Sequence, residues 1–284
     1  MGRRSGPASS RRSAGIEIAP RSIVQLDAPP LSDVLGRGRV GGGTSSHFAS
    51  DPERALGLYE RDGFFVEPGA LSTEACERLC AAAGELLDGG DAPVAPVMNP
   101  HRTHEAFLAA LGAPAIVKIV ERLVGGRVSG IQSQYFPCVP GTPGFATHQD
   151  NHYVEAAPDA FASAWMALDD VDQDNGALLA WPGSQREPLL PVVPVAGVVP
   201  HPNQAFNAIR QAVVVPEGYT PRTVVVPRGG VVFLHGHLLH ASHPNRAWRT
   251  RRALLATYVR RGSAFRPGQS ARRTEIDVYQ GRLS

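Results

Sequence analysis

The sequence predicts a mainly β fold with flanking helices: a double-stranded β-helix, the jelly-roll barrel that cupins also use, backed by N-terminal helices. Helical patterns come first along the chain and do not alternate with strands, an order typical of antiparallel sheets rather than of a βαβ design. From Arg127 onward, seven short apolar runs are separated by proline, glycine and asparagine. The chain has 284 residues and is 43% hydrophobic, which is enough for one large domain.

Residues 1–48 are rich in arginine, serine, glycine and proline and show no sustained apolar period. We therefore expect a mostly disordered basic tail, followed by a single domain over residues 49–284. Residues 1–50 carry seven arginines and three acidic residues, a charge of +4, against +2 for the whole chain. No aromatic-studded basic stripe accompanies the tail in the body of the chain, which disfavours nucleic acid as a partner.

Three helices are predicted between residues 49 and 125 from the signals at their ends. Ser50 and Glu53 form a capping-box pattern that begins the first helix, and Gly63 ends it. Ser72 caps the second helix, while a proline in the first turn and paired glycines after the last turn frame the third. The expected spans are 50–62, 72–87 and 114–124, with a strand at 63–66.

The predicted strands after Arg127 occupy residues 127–137, 145–150, 162–169, 177–181, 222–226, 231–235 and 252–260. The pair Asn175-Gly176 predicts a tight hairpin turn between two of them. Residues 185–219 contain six prolines and fit no regular element. A connection of this length is typical of a lid or binding insert.

Two neighbouring residues and one distant residue predict a metal site: His148, Asp150 and His240. On a strand, residues i and i+2 project from the same face, so His148 and Asp150 are expected to reach one metal ion. His240 follows the apolar run 231–234 and is expected to join them from a neighbouring strand. Two imidazoles and a carboxylate form the facial triad of non-haem iron(II) oxygenases, which leaves positions open for oxygen and a co-substrate.

Two other interpretations stay open for this pattern. The same three donors also suit zinc, so a cupin-like metal-dependent isomerase or hydrolase fits the residues. A non-catalytic barrel that binds a small ligand fits them as well. Three further histidines, at positions 235, 237 and 243, crowd His240; regular alternation along one strand would turn the first two away from it.

Several spaced motifs between about residues 55 and 262 resemble the phytanoyl-CoA dioxygenase family, within the iron(II)/2-oxoglutarate oxygenases. The motifs are Trp165–Asp170, Asn175–Ala177, Pro182–Ser184 and His240–Arg246, the last followed by Arg251–Leu254 and Tyr258. The resemblance implies a jelly roll with iron(II) as the metal and with 2-oxoglutarate and O2 as co-substrates. It also selects His240 among the neighbouring histidines.

The resemblance further implies how 2-oxoglutarate is held. In that family an arginine at the position of Arg251 grips the distal carboxylate, and a serine at the position of Ser242 donates its hydroxyl. Arginine suits this role because its planar fork meets a carboxylate with two hydrogen bonds. Gln132 and Gln134 share one face of a predicted strand and can bond 2-oxoglutarate or substrate, or equally a neighbouring carbonyl.

Four residues are expected to line the substrate pocket: Phe145, Asn151 and Tyr153, which flank the ligands, and Trp165, which resembles the active-site tryptophan of the family. The implied reaction hydroxylates, or otherwise oxidises, an unactivated C–H bond of a small molecule while 2-oxoglutarate is decarboxylated to succinate. The retained Asp150 favours hydroxylation over halogenation, because related halogenases carry a small residue there. Whether the substrate is a secondary metabolite, a sugar, an amino acid or a lipid is left open, as is the oligomeric state.

The sequence also predicts the compartment. No run of eighteen apolar residues predicts a membrane span, and no apolar stretch follows the first arginines as a secretion signal would require. The three cysteines, Cys76, Cys80 and Cys138, are too few and odd in number for a disulfide framework. We therefore expect a cytoplasmic protein that does not associate with a membrane.

Overall fold

The computed structural model describes Gly2 and residues 47–87, 96–195 and 211–279. The fold lies within the compact unit Gly41–Ser284. The predicted disordered tail, residues 1–48, falls almost wholly outside the described residues, and so does the middle of the predicted insert, residues 196–210. The predicted domain limits therefore stay predictions.

Four helices precede most of the strands: α1 Pro52–Asp62, α2 Thr73–Leu86, α3 Glu105–Leu111 and α4 Pro114–Leu123. The cap of α1 is Asp51, whose carboxylate accepts a hydrogen bond from the backbone N–H of Arg54, so the predicted cap Ser50 was wrong. Proline at the first helical position explains the shift, because its missing N–H would have no partner there anyway. Helix α3 was missed because it has seven residues and is capped by the ring of His104, an unusual cap.

The strands in the described ranges form three antiparallel sheets. The large sheet has the order β1-β9-β4-β11-β3-β2, a smaller sheet has the order β10-β5-β8, and β6 pairs with β7. Their bounds are β1 Phe64–Glu67, β2 Val97–Met98, β3 Val128–Cys138, β4 Phe161–Ala167, β5 Leu178–Ala180, β6 Val192–Pro194, β7 Gln211–Val213, β8 Arg222–Val224, β9 Val231–His235, β10 His240–Ser242 and β11 Arg251–Arg260.

Alternation along the strands gives the large sheet two different faces. Leu254, Ala256 and Tyr258 of β11 pack into the core beside the helices, whereas Ala253 belongs to the core shared with the smaller sheet. Side chains at i and i+2 share a face, so one strand serves both layers. The mainly β architecture backed by N-terminal helices is confirmed, but hydrogen bonds do not close the described strands into one barrel.

The predicted strand 145–150 is wrong. His148 forms an isolated bridge with His240, and Asp150 has the helical angles φ −56° and ψ −37° just before the short helix α5, Asn151–Val154. Prolines at positions 140 and 143 lack the N–H that a ladder needs. The side-chain alternation assumed for this segment therefore does not exist.

Two connections also differ from expectation. The Asn175-Gly176 turn joins β4 to β5, which lie in different sheets, so it is not a hairpin. The Asn175 side chain holds this turn by accepting from the Asp172 N–H and donating to the Asp170 carbonyl. The insert is not wholly irregular, because most of the 3-10 turn Ser184–Arg186 and the paired strands β6 and β7 lie within its described parts. No helix in the described part of the chain is long and apolar enough to traverse a bilayer.

Candidate metal centre

The two predicted histidine ligands face each other across a pair of extended segments. The backbone N–H of His148 donates to the carbonyl of His240 at 2.9 Å, and the His240 N–H donates back at 3.1 Å. Residues paired in this way project their side chains to the same side. Their ring centroids are accordingly 4.2 Å apart.

Asp150 reaches the same point from a different local structure. Its helical backbone conformation turns the side chain back toward the histidines instead of continuing a strand. The Asp150 Oδ1 atom lies 3.7 Å from His148 Nε2 and 3.6 Å from His240 Nε2. One ligand atom from each residue lies within 4.8 Å of the others, a separation that a single metal ion can bridge.

Hydrogen bonds orient each of the three side chains. The Nδ1 atom of His148 lies 2.8 Å from the Ala146 carbonyl, and that of His240 lies 3.0 Å from the Leu238 carbonyl. A carbonyl only accepts, so each Nδ1 carries the proton and each Nε2 offers its lone pair to a metal. The Ser163 hydroxyl donates to Asp150 Oδ2 at 2.8 Å, which leaves Oδ1 for the metal. Burial, and then the nearby His240, lower the pKa of His148 to about 4, so the imidazole is neutral.

The three histidines that crowd His240 in sequence, at positions 235, 237 and 243, contact residues outside the centre. β9 ends at His235, and a turn separates it from β10, so His240 does not continue the strand as the alternation argument assumed. The rings of His235 and Tyr59 contact each other with centroids 5.8 Å apart. His237 lies 3.1 Å from the Asn151 amide, and His243 lies 3.0 Å from the Thr223 hydroxyl.

His148, Asp150 and His240 lie on the wall of a cavity of about 910 Å³. The cavity is also lined by Gln132 and Gln134 from β3, and by Leu255 and Thr257, which pair with them from β11. The predicted pocket residues that line it are Phe145, Tyr153 and Trp165.

Asn151 is the exception among the predicted pocket residues. It is 1% exposed, and its amide donates to the Ala156 carbonyl at 2.8 Å and lies against His237. Its side chain is thus satisfied inside the protein and does not line the cavity. The sequence-based assignment of Asn151 to the substrate pocket was therefore wrong.

Arg251 lines the cavity and is 4% exposed. Its Nη2 donates to the Gly176 carbonyl at 3.0 Å, and its guanidinium lies 5.3 Å from the ring centre of Trp165. No ion pair joins Arg251 to a carboxylate within the described ranges, and burial lowers its pKa. Two arginines near Arg251 in sequence differ from it: Arg249 pairs with Asp172 and Arg252 pairs with Asp169, each at 2.5 Å.

Ser242 also lines the cavity, and its Oγ accepts a hydrogen bond from the Phe145 N–H at 2.9 Å. Its hydroxyl proton makes no hydrogen bond to a described residue. Gln134 donates to the sulfur of Met98 at 3.2 Å. Gln132 is buried, with an exposed fraction of 3%.

Two features of the site were missed by sequence reasoning. Ser163, which supports Asp150, lies on β4 among alanines and carries no motif. Residues 266–271 and Arg273 cover one side of the cavity, although they follow the last recognised motif. The Pro267-Gly268 pair indicates a turn there, but nothing in the spacing indicates that the turn lies over the site.

The chain matches the phytanoyl-CoA dioxygenase (PhyH) family over residues 59–253. It is 25% identical over 228 residues to the peroxisomal phytanoyl-CoA dioxygenase of Rattus norvegicus, covering 71% of this chain and 66% of that protein. It is 28% identical over 229 residues to the L-proline trans-4-hydroxylase of Streptomyces griseoviridis, covering 71% of this chain and 84% of that protein. The alignments span just under two thirds of the rat and mouse proteins, 66% and 65%.

Solved structures share the fold. The carbocyclase SnoK from nogalamycin biosynthesis aligns with a TM-score of 0.63 at 21% identity, covering 80% of this chain and 90% of that one. The epimerase SnoN from the same biosynthesis aligns with a TM-score of 0.62 at 21% identity, covering 77% and 87%. At these identities the likeness concerns the fold, while the family match over 59–253 concerns the sequence. The chain therefore belongs to the phytanoyl-CoA dioxygenase family.

Proposed function

We propose that this protein is an iron(II)/2-oxoglutarate-dependent dioxygenase that hydroxylates, or otherwise oxidises, an unactivated C–H bond of a small molecule. 2-Oxoglutarate is decarboxylated to succinate in the same turnover. The observation that carries the proposal is the convergence of His148 Nε2, His240 Nε2 and Asp150 Oδ1 on the wall of a large cavity. Two neutral imidazoles and one carboxylate fit iron(II) and leave positions open for co-substrates.

Iron(II) held by these three residues supplies oxygen activation coupled to the oxidation of 2-oxoglutarate. The chain's own residues position the reactants. Arg251, which is buried and forms no ion pair with a described carboxylate, grips the distal carboxylate of 2-oxoglutarate, and Ser242 donates its hydroxyl to it. Gln132 and Gln134 offer amide donors from β3 to 2-oxoglutarate or substrate.

The cavity wall sets the position of the substrate and excludes water. Phe145, Tyr153 and Trp165 surround the space beside the centre, and Phe161 and Leu234 add apolar surface. Fixing a C–H bond close to the oxidising centre is the main contribution that such a wall makes to the rate. Asp150 occupies the carboxylate position, which favours hydroxylation over halogenation.

Two similar proteins support a small-molecule substrate. The Streptomyces griseoviridis protein is named for hydroxylation of L-proline, and the structural neighbour SnoN, an epimerase, was crystallised with Fe3+, alpha ketoglutarate and nogalamycin RO. A cytoplasmic location completes the proposal, on the ground that Cys76, Cys80 and Cys138 are all free thiols.

The proposal is tested by mixing purified protein with iron(II), ascorbate and 2-oxoglutarate and measuring succinate with a panel of small molecules. We expect iron-dependent binding of 2-oxoglutarate and substrate-stimulated succinate, both lost in His148→Ala. Metal analysis separates this function from a zinc isomerase or hydrolase. If His148→Ala binds a small molecule as well as the wild type does, and this binding needs no metal, a non-catalytic barrel would be favoured.

A further inference from the structure

A second buried arginine, Arg273, lines the cavity from the C-terminal part of the chain and is 8% exposed. Its Nη1 donates to the Tyr153 carbonyl at 2.9 Å and to the Arg266 carbonyl at 3.3 Å. Its Nε atom is buried and has no hydrogen-bond partner among the described residues.

One edge of the Arg273 guanidinium has no hydrogen-bond partner among the described residues. Nη1 is occupied by carbonyls, whereas the opposite edge, formed by Nε and Nη2, makes no hydrogen bond to a described residue. Such an edge presents two parallel N–H groups, the geometry that meets the two oxygens of one carboxylate. A buried donor without a partner is unfavourable, and a ligand that satisfies it gains accordingly.

The backbone around Arg273 holds the side chain in place. The Arg273 N–H donates to the Pro267 carbonyl at 2.9 Å, and the Asn99 amide donates to the Ala271 carbonyl at 2.7 Å. Ile276 then forms a bridge with Gly130 of β3. The segment is thus held against the body of the domain at residues 271 and 276, and the Nη1 hydrogen bonds fix the guanidinium before any ligand binds.

The neighbouring charges leave Arg273 unmatched. Arg266, which also lines the cavity, forms an ion pair with Glu155 at 2.7 Å. Arg273 forms no ion pair with a described carboxylate, and burial lowers its pKa to about 10, although Asp150 acts in the opposite direction. The group therefore stays charged at neutral pH, and no described carboxylate lies within ion-pair distance of it.

The charge of the occupied centre points to the missing partner. Iron(II) carries two positive charges, Asp150 carries one negative charge, 2-oxoglutarate carries two, and Arg251 adds one positive charge. These charges cancel, and the Arg266–Glu155 pair cancels as well. One positive charge, on Arg273, is left over in a largely apolar cavity, where it favours a ligand with one negative charge.

We propose that Arg273 binds a carboxylate of the substrate through its Nε–Nη2 edge, so that the substrate of this enzyme is a carboxylic acid. The assignment rests on the proposed function, because it takes Arg251 as the partner of 2-oxoglutarate. A single uncommitted guanidinium suits a monoanionic carboxylate better than a dianionic phosphate.

The test measures binding and does not depend on turnover. Protein loaded with iron(II) and 2-oxoglutarate under anaerobic conditions is titrated calorimetrically with acids and their primary amides, graded in size. The probes are L-proline and L-prolinamide, 4-phenylbutanoate and 4-phenylbutanamide, and decanoate and decanamide. We expect at least one acid to bind ten-fold or more tightly than its amide.

The variants assign this preference to one residue. In Arg273→Gln the acid should bind no better than its amide, while 2-oxoglutarate affinity stays within about two-fold of the wild type. Arg273→Lys should retain part of the preference and serves if the glutamine variant does not fold. Arg266→Gln, at a cavity arginine that is already paired with Glu155, is the matched control and should keep the preference.

Three results would overturn the inference: no pair showing an acid preference in the wild type, a preference that survives in Arg273→Gln, or loss of 2-oxoglutarate binding in that variant. Failure of the wild type to bind 2-oxoglutarate with iron(II) is a different result. It would refute the proposed function itself.

Discussion

Arginines 249, 251 and 252 stand almost side by side, but the structure predicts opposite consequences for their removal. Arg251 is buried and forms no ion pair with a described carboxylate, whereas Arg252 is paired with the half-buried Asp169. Replacing Arg251 by methionine keeps the aliphatic stem but removes the cation that meets the distal carboxylate of 2-oxoglutarate. Losing one partner of a buried, hydrogen-bonded charge pair costs about 2–5 kcal/mol of binding. At about 1.4 kcal/mol per ten-fold, 2-oxoglutarate should bind roughly 30-fold to 4,000-fold more weakly.

The stability of the unliganded protein should fall in Arg252→Met but not in Arg251→Met. Arg251→Met removes a desolvated charge from the unliganded protein, so the free energy of unfolding should be unchanged or raised. Arg252→Met leaves the Asp169 carboxylate without the Nε and Nη2 donors that hold it at 2.8 Å and 2.5 Å. Leaving this half-buried acceptor unsatisfied should cost about 1–3 kcal/mol, while 2-oxoglutarate affinity should be retained.

The assay combines anaerobic calorimetric titration of 2-oxoglutarate into iron(II)-loaded protein with urea unfolding of the metal-free protein. Arg249→Met is the control for a partly exposed pair, and it should change both quantities by less than about 1 kcal/mol. Unchanged 2-oxoglutarate affinity in Arg251→Met would refute the reasoning. So would an Arg252→Met variant that loses affinity while keeping its stability.

Three further predictions concern the support of the centre and the stability of the fold. Ser163→Ala removes the hydroxyl that holds Asp150 Oδ2, and iron(II) affinity, measured by competition with a chelator, should fall about 10-fold to 100-fold; an unchanged affinity would contradict this role. Gly144→Ala would place a Cβ against the backbone carbonyl of Ser242, which cannot move without separating the histidine-bearing segments, so both melting temperature and iron binding should fall; a variant that retains both would show that the backbone yields. Burial lowers the pKa of His101 to about 4, so its neutral form stabilises the fold above pH 6.5 and that contribution is lost as the pH falls toward 4. Urea unfolding at pH 7 and pH 5 should therefore show a loss of up to about 1.4 kcal/mol per unit below pH 6.5 that is absent in His101→Gln, and equal losses in both proteins would exclude the effect.

The sequence alone was sufficient for the fold class and for much of the outline. Helix α2 begins at its predicted cap, and β9 occupies the predicted residues 231–235, because capping residues and β-branched runs act locally. Short or unusually capped elements were missed, as with α3. The three metal-binding candidates were also named from the sequence, since residue type and spacing restrict which donors can meet.

The tertiary structure decided how those donors meet. His148 and Asp150 are not neighbours on a strand. Backbone pairing with His240 positions His148, and a helical turn positions Asp150. Only the fold distinguishes a buried arginine without a counter-charge from its neighbours, because ion pairing depends on residues far away in the chain. Arg273 lies 123 residues after Asp150 in sequence, yet that carboxylate acts to raise the pKa of its guanidinium. Local propensities determine elements, whereas the environment of a charge depends on long-range packing, which no short pattern encodes.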